Sequence, residues 1–391
     1  MIASLDPGML QIETHRGLTG LAAIADEWRA LAEQCARPTI CHYPEWYECY
    51  LSCLAPDPES VFFCLLRRDG RPVAIAPLER QVTRTAGIRR RSLLLPQDEM
   101  NVPMADFTIA RTEDMGGVAQ AILAGSARLP ELHWDRVHLA RVAESSCCVA
   151  AVRALQGYPR VRRAVGGGDR VALGPFDQML RELPKSARKH LNLARNRLAR
   201  AGNARFRTVS DPAALAGAID ELIEVESAGW KGRAGTAIKC SPRLCAFYRM
   251  LVARFGARGL CDIHTLYVGD RPAAAELALR SGDLAAFLKC GYDEAFAALS
   301  PDNTLDAYAM QYYYERTPVR IVDMLSDYEY LRMWNPTRQS VYSLSVFEQT
   351  WMGSLARHAT RGLHALQEFH GASMRKGHRA LRRLGIGNRA R

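Results

Sequence analysis

The apolar positions of this chain change period several times, and each change marks an element. From Leu18 to Cys35 they recur at Leu21, Ile24, Trp28 and Leu31, the spacing of one helical face, and Pro38 closes the segment. Pro44 opens a second helix over PEWYECYL. Strand-like runs follow at Val61–Arg67 and Pro72–Leu78, and the Asp69-Gly70 dipeptide between them predicts a hairpin. A further strand pair is expected at Arg91–Leu95 and Ala105–Ile109. A helix over Met115–Leu129, a strand over Arg136–Leu139 and a helix over Ser145–Leu155 come next. Residues Val165–Gly174, with Gly166-Gly167-Gly168 inside them, read as a flexible connection and place a domain boundary.

The second half opens on a helix that follows Pro184, is capped by Ser186 and stops at Gly202, with Ala187, Leu191, Ala194 and Leu198 as its apolar stripe. Asp211-Pro212 and Ser241-Pro242 start two more helices, reaching about Trp230 and Gly256. Leu260–Val268, Ala273–Arg280 and Leu284–Tyr292 then form a three-strand meander. A helix over Asp302–Arg316 and a strand over Val319–Leu325 complete the set. Both halves mix helix with hairpin, which makes the fold class α/β (α+β) with mainly antiparallel strands.

At 391 residues the chain is long enough for two or three domains. Its 48% hydrophobic and 24% charged residues exclude global disorder and fibrous repeats. No run approaches eighteen apolar residues, and the N-terminal Met1–Glu13 stretch lacks the basic start and apolar core of a signal peptide, so a cytoplasmic location is expected. The eleven cysteines include no Cys-x-x-Cys pair, which predicts reduced thiols and no metal site. Net charge is +11, and two patches supply it: Arg181–Arg207 holds nine Lys or Arg against Glu182 alone, and Met352–Arg391 holds nine against Glu368 alone. Neither patch is interleaved with stacking aromatics, which argues against single-strand nucleic-acid binding.

Glu226 is the most informative single residue. On a helical wheel centred on Ile219, the residues Leu215, Leu222 and Trp230 fall within roughly 60° of it, with Glu226 in the middle of their stripe and Asp220, Glu221 and Glu224 opposite. A carboxylate facing a core must be paired, held by donors, or set in a cleft where its pKa rises; the last suits a general base, and an ion pair at the helix end fits the pattern equally well. The other informative stretch runs from Leu288 to Gln311, where a strand leads through Ser300-Pro301 into a helix and leaves helix N–H groups pointing outward, a geometry suited to phosphate. Asp302 at that helix start repels an anion.

SARKHLNLARNRLARAG, VESAGWKGRAGTAI (Val225–Ile238), GDRPAAAELAL, LKCGYDEAFAALSP and DMLSDYEYLRMW (Asp323–Trp334), with PEWYECYL, GRPVAIAPL and WDRVHLARV in the first half, together resemble the CelD/BcsL-type (BioF-like) acetyltransferases of the GNAT superfamily, relatives of the FemAB transferases. The resemblance spans about Gln11–Trp334 and is most specific at WKGRAGTAI and GYDE...SP. It implies tandem GNAT-like domains, over residues 1–165 and 175–345; the charge pattern adds a basic tail over 352–391. Each half is expected to carry its own sheet, with the acceptor cleft at their junction.

The activity so implied is transfer of an acetyl or acyl group from acyl-CoA to an amine or hydroxyl of a sugar, amino acid or envelope precursor. Glu226, Tyr292 and Asp293 are the candidate catalytic residues. Lys289, Ser300, Pro301, Asn303 and Thr304 are candidates for the acyl-CoA site, and Trp230, Lys231, Asp323 and Tyr330 for the acceptor. This chain departs from the family where relatives carry Ser-Pro-Gly, since Asp302 follows Pro301, and where they carry Tyr-Lys, since Leu331 follows Tyr330. Two other functions stay open: a FemAB-like aminoacyl transferase fed by aminoacyl-tRNA, with the Arg-rich helix on the RNA backbone, and a non-catalytic scaffold that meets a polysaccharide-synthesis complex or a membrane surface through the basic tail.

Overall fold

The computed structural model describes residues 2–4, 10–85, 88–98, 104–350 and short stretches between 353 and 362. The first half holds β1 (Ile2–Ser4), β2 (Gln11–Arg16), α1 (Gly17–Ala32), α2 (Pro44–Cys53), β3 (Val61–Arg68), β4 (Arg71–Thr85), β5 (Ile88–Leu94), β6 (Thr108–Ile109), α3 (Met115–Arg128), β7 (Arg136–Ala143), α4 (Cys147–Ala154) and β8 (Arg160–Ala172). The second holds α5 (Phe176–Glu182), α6 (Lys185–Ala201), β9 (Ala204–Val209), α7 (Pro212–Ser227), α8 (Trp230–Arg233), α9 (Pro242–Ala257), β10 (Cys261–Val268), β11 (Arg271–Ser281), β12 (Leu284–Tyr292), α10 (Pro301–Arg316), β13 (Ile321–Asp323) and β14 (Thr337–Phe347). Most of the basic tail lies outside the described residues, and among those described no helix is long and apolar enough to cross a membrane.

Local chemistry explains most boundaries. Asp69 and Gly70 both adopt positive φ, as the hairpin turn between β3 and β4 requires. Asp211 accepts a hydrogen bond from the Ala214 N–H, and Ser241 one from the Leu244 N–H, so each Asp/Ser-Pro pair caps its helix. Ser186, by contrast, sits inside α6 and caps nothing; Pro184 precedes the helix without a side-chain cap. The strands β5 and β6, expected to pair with one another, both pair with β4 instead.

The two halves repeat one order. A strand and two longer helices lead into a three-strand antiparallel meander, then a helix, then a strand that lies parallel to the meander's last: β5 beside β7 in the first half, β12 beside β13 in the second. The expectation of two separate sheets is corrected here, because β1-β2-β3-β4-β5-β7-β14-β8-β13-β12-β11-β10-β9 is one continuous sheet, with β6 added beside β4. It is continuous because the halves exchange strands: β14, from the end of the chain, pairs with β7, while β8 pairs with β13 and β14. Residues 160–172, which contain the triple glycine, are therefore a central strand and not a flexible connection. The core is also shared. Trp46 and Tyr43 of the first half meet Phe247 and Phe255 of α9, and the Arg243 guanidinium donates to the Cys53 and Leu54 carbonyls at the end of α2.

Candidate active site

β12 and β13 pair only from Leu284–Ala286 to Ile321–Asp323. Beyond Ala286 the longer strand continues to Tyr292 alone, so the parallel pair opens toward its C-terminal ends. Against β11, Lys289 faces Leu277 while Phe287 faces Ala278, which leaves Leu288 as an extra residue and bulges β12 at the opening. α10 starts beside it, after Ser300 turns the chain through a left-handed φ of 49°.

On the α7 side of β12 the sequence places three candidates together. Glu226 is buried as expected, its side chain 0% exposed. Its Oε1 accepts from Lys231 Nζ at 2.9 Å and its Oε2 from the Ile238 N–H at 2.8 Å. Lys231 also donates to the Cys290 carbonyl at 2.8 Å, tying the WKGR turn to β12. A Cβ on Gly291 would lie 2.7 Å from the Glu226 Cα, so only glycine lets α7 rest this closely on the strand. The Lys289 ammonium lies 5.5 Å from the Tyr248 ring centre, and burial depresses its pKa against the opposing pull of Glu226.

The opposite side of β12 faces α10 and carries residues that the sequence reading missed. Glu276 of β11 is 2% exposed, and its Oε2 has no hydrogen bond among the described residues. Burial, then the charge of Asp306, pushes its carboxyl well above the usual range. Asp306 is pushed up to about 7 by burial and by Asp302. Cys290, opposite Glu276 in register, is reached by solvent yet so closely surrounded that burial and then Glu276 push its thiol up to about 12. Tyr330 is 55% exposed and stacks on Tyr328, and its phenol is raised by burial and by Cys290, Asp306 and Asp302. Glu276 did leave a signal, as the sole charge in Ala273–Leu279.

The remaining candidates disperse. Asp293, expected in catalysis, accepts from the Ala295 N–H at 2.9 Å and from Arg271 at 2.8 Å, which makes it the cap of a short turn. Tyr292 is half-buried at the strand end, its phenol raised by burial and by Asp302. Thr304 spends its hydroxyl on the Ser300 carbonyl at 3.0 Å, and Asn303 meets His190 of α6 at 3.4 Å, so both face the Arg-rich helix rather than the gap. Pro301 is buried at the first turn of α10. Trp230 is exposed at the start of α8. Asp323 pairs with Arg170 at 2.8 Å and faces the middle of the sheet, away from Tyr330. His133, Asp135 and Glu348 bring ligand atoms within 4.8 Å of one another, but Asp135 is already held by Arg91 at 2.7 Å.

The strand pair parts beside a helix start with a bulged edge between, and the comparison with known domains falls on this stretch. Residues 185–332 match the acetyltransferase (GNAT) domain. The match begins at α6 and ends beyond Tyr330, so the matched segment contains α7, the meander, α10 and β13. Among solved structures, FemX aligns with a TM-score of 0.57 at 10% identity, covering 82% of this chain and 95% of its own. The C-terminal domain of a putative lysylphosphatidylglycerol synthetase from Agrobacterium fabrum gives 0.51 at 12%, covering 87% and 96%. A conserved protein of unknown function from Bacteroides thetaiotaomicron gives 0.54 at 13%, covering 83% and 97%. At such identities the likeness is one of fold. No curated protein matches the chain.

Proposed function

We propose that this chain transfers an acyl group from acyl-CoA to an amine or hydroxyl of a small acceptor, a sugar, amino acid or envelope precursor, where β12 leaves β13. The observation that carries the reading is the opening of that parallel pair at the bulge, inside the segment that matches the GNAT domain. The thioester oxygen would be held by the backbone N–H groups that the bulge frees. Asp306, titrating near 7, is the group in the gap suited to take the nucleophile's proton at neutral pH. Of the two ends its stripe suggests, Glu226 serves the ion pair: with both oxygens held, it positions Lys231 against β12.

The phosphates of CoA would lie between the first turns of α10 and the basic face of α6, where Arg188 and Arg195 line a cavity of about 220 Å³ with Thr304. Asp302 opposes them. Replacing it, Asp302→Gly, is expected to tighten acetyl-CoA binding about tenfold, roughly 1.4 kcal/mol, by calorimetry; unchanged affinity would place the phosphates elsewhere. Calorimetry with acetyl-CoA and longer acyl-CoAs tests the reading itself, together with release of free CoA on adding acceptor. The solvent-facing Lys185, Arg188 and Lys189 of α6 favour a second reading, aminoacyl transfer from tRNA. Salt-dependent tRNA binding with no affinity for any acyl-CoA would replace the first reading by the second.

A further inference from the structure

β7 carries a bulge of its own. Val142 faces Tyr342 and Leu139 faces Leu344, so Ala140 and Arg141 together oppose Ser343. Arg141 takes the left-handed position of this bulge, at φ 52°. Glycine adopts that conformation freely and a side chain as long as arginine only at a cost, while the bulge re-aims the residue out of the ladder's alternation. Its Nε is buried without a hydrogen bond, and among the described residues no carboxylate pairs with the guanidinium. A strained backbone and a half-buried guanidinium with a buried, unpartnered Nε at one residue are two costs with no structural return.

Arg141 lines a cavity of about 440 Å³ over the middle of the sheet, on the side where Asp323 faces and away from Cys290 and Asp306. Gly167 and Gly168 of β8 form its floor with Gln339 and Val341 of β14. A Cβ on Gly168 would have nothing nearer than Asp323 Oδ1 at 4.0 Å, so the floor is open by composition rather than by crowding. The other charges around the space are spent or peripheral. Asp106 accepts from the Ser146 hydroxyl at 2.8 Å and from the Cys147 and Cys148 N–H groups at 3.2 Å. His42 Nδ1 accepts the Thr39 N–H at 2.8 Å, which leaves its proton on Nε2, 3.9 Å from Asp106. Arg170 is held by Asp323, and Arg37 and Asp283 are exposed at the rim.

We propose that this cavity binds a small molecule through an anionic group, a carboxylate or phosphate, seated on Arg141, with the remainder of the molecule lying over the glycine floor. The volume suits a molecule of monosaccharide size, and arginine's fork matches either anion. The far edge of the cavity reaches Asp323 and Leu325, where β13 ends and the β12 gap opens. Resting on the acyl-transfer reading, the bound molecule is the acceptor, its nucleophile entering the gap from the side opposite Asp306.

The test uses the full chain without acyl-CoA, with inorganic phosphate and succinate as probes at millimolar concentration and chloride at matched ionic strength as the control. Phosphate, succinate or both should raise the melting temperature by about 1 to 3 °C over chloride; which of them acts identifies the anion. Arg141→Gly should melt at or above the temperature of the unaltered protein, because glycine relieves the left-handed strain, and should lose the probe's shift. Gly168→Val, which fits the strand but fills the floor, should also lose it. A fall in the melting temperature of Arg141→Gly would make Arg141 a structural residue. A shift absent from the unaltered protein, or kept in both variants, would overturn the site. Retained anion binding in a protein that transfers no acyl group would remove the acceptor assignment alone.

Discussion

Glu226→Ala should lower the free energy of unfolding by about 3 kcal/mol, read from urea midpoints. The carboxylate is fully buried, so its removal leaves two groups short of a partner. The Ile238 N–H becomes a buried donor with no acceptor, and the Lys231 ammonium, 22% exposed, keeps only the Cys290 carbonyl. Glu226→Gln keeps the shape and one acceptor, and should cost about half as much. A loss within 0.5 kcal/mol for the alanine variant, the range of about what surface substitutions give, would mean that the carboxylate does not hold the WKGR turn.

The contribution of Asp306 and Glu276 to stability should fall as pH rises from about 4 to about 7. Both carboxyl pKa values are raised, burial first, so at these two sites the native state binds more protons than the unfolded chain across that window. Their part of the derivative of the unfolding free energy with pH is then negative: the penalty is absent below the ordinary carboxylate range, and that of Asp306 is complete above about pH 7. His264, pushed down to about 4 by burial, and His42, also lowered by burial, act in the opposite sense within this window, and Glu27 and Asp135, whose pKa values are lowered, do so near and below the ordinary carboxylate range, so the carboxyl contribution is read as the difference between the unaltered protein and a Glu276 variant at each pH. Glu276→Gln removes one charge of the pair and should raise stability at pH 8 by about 1 to 3 kcal/mol while changing little at pH 4. A variant that is no more stable at pH 8 would place both carboxyls in solvent.

What could be read from the sequence was what short-range chemistry dictates. The Asp-Pro and Ser-Pro pairs start α7 and α9 where expected, the Asp69-Gly70 hairpin forms, and the apolar stripe of α7 carries Glu226 into the core. The errors share a cause in distant partners. Three consecutive glycines have little strand propensity of their own, and β8 is a strand because β13 and β14, more than a hundred residues away, supply its hydrogen bonds. Asp293 appeared catalytic because nothing local reveals that Arg271, on the neighbouring strand, would claim it. The pairing of Glu276 with Asp306 joins a strand to a helix, and neither residue announces the other. Glu276 alone was legible, as an acid in a run of alanine and leucine.

The strand exchange has a consequence for how the protein is made. When β7 leaves the ribosome its outer edge has no partner, because β14 is synthesised about two hundred residues later, an interval of roughly 10 to 40 seconds at typical elongation rates. An unpaired edge over such a time invites pairing with other chains. β8, the next strand to emerge, waits about 150 residues for β13, the first of its own neighbours, and its Arg160, Arg162, Arg163 and triple glycine make it a poor template for a stray strand. Those residues make the β8 edges poor partners for other chains until β13 and β14 arrive.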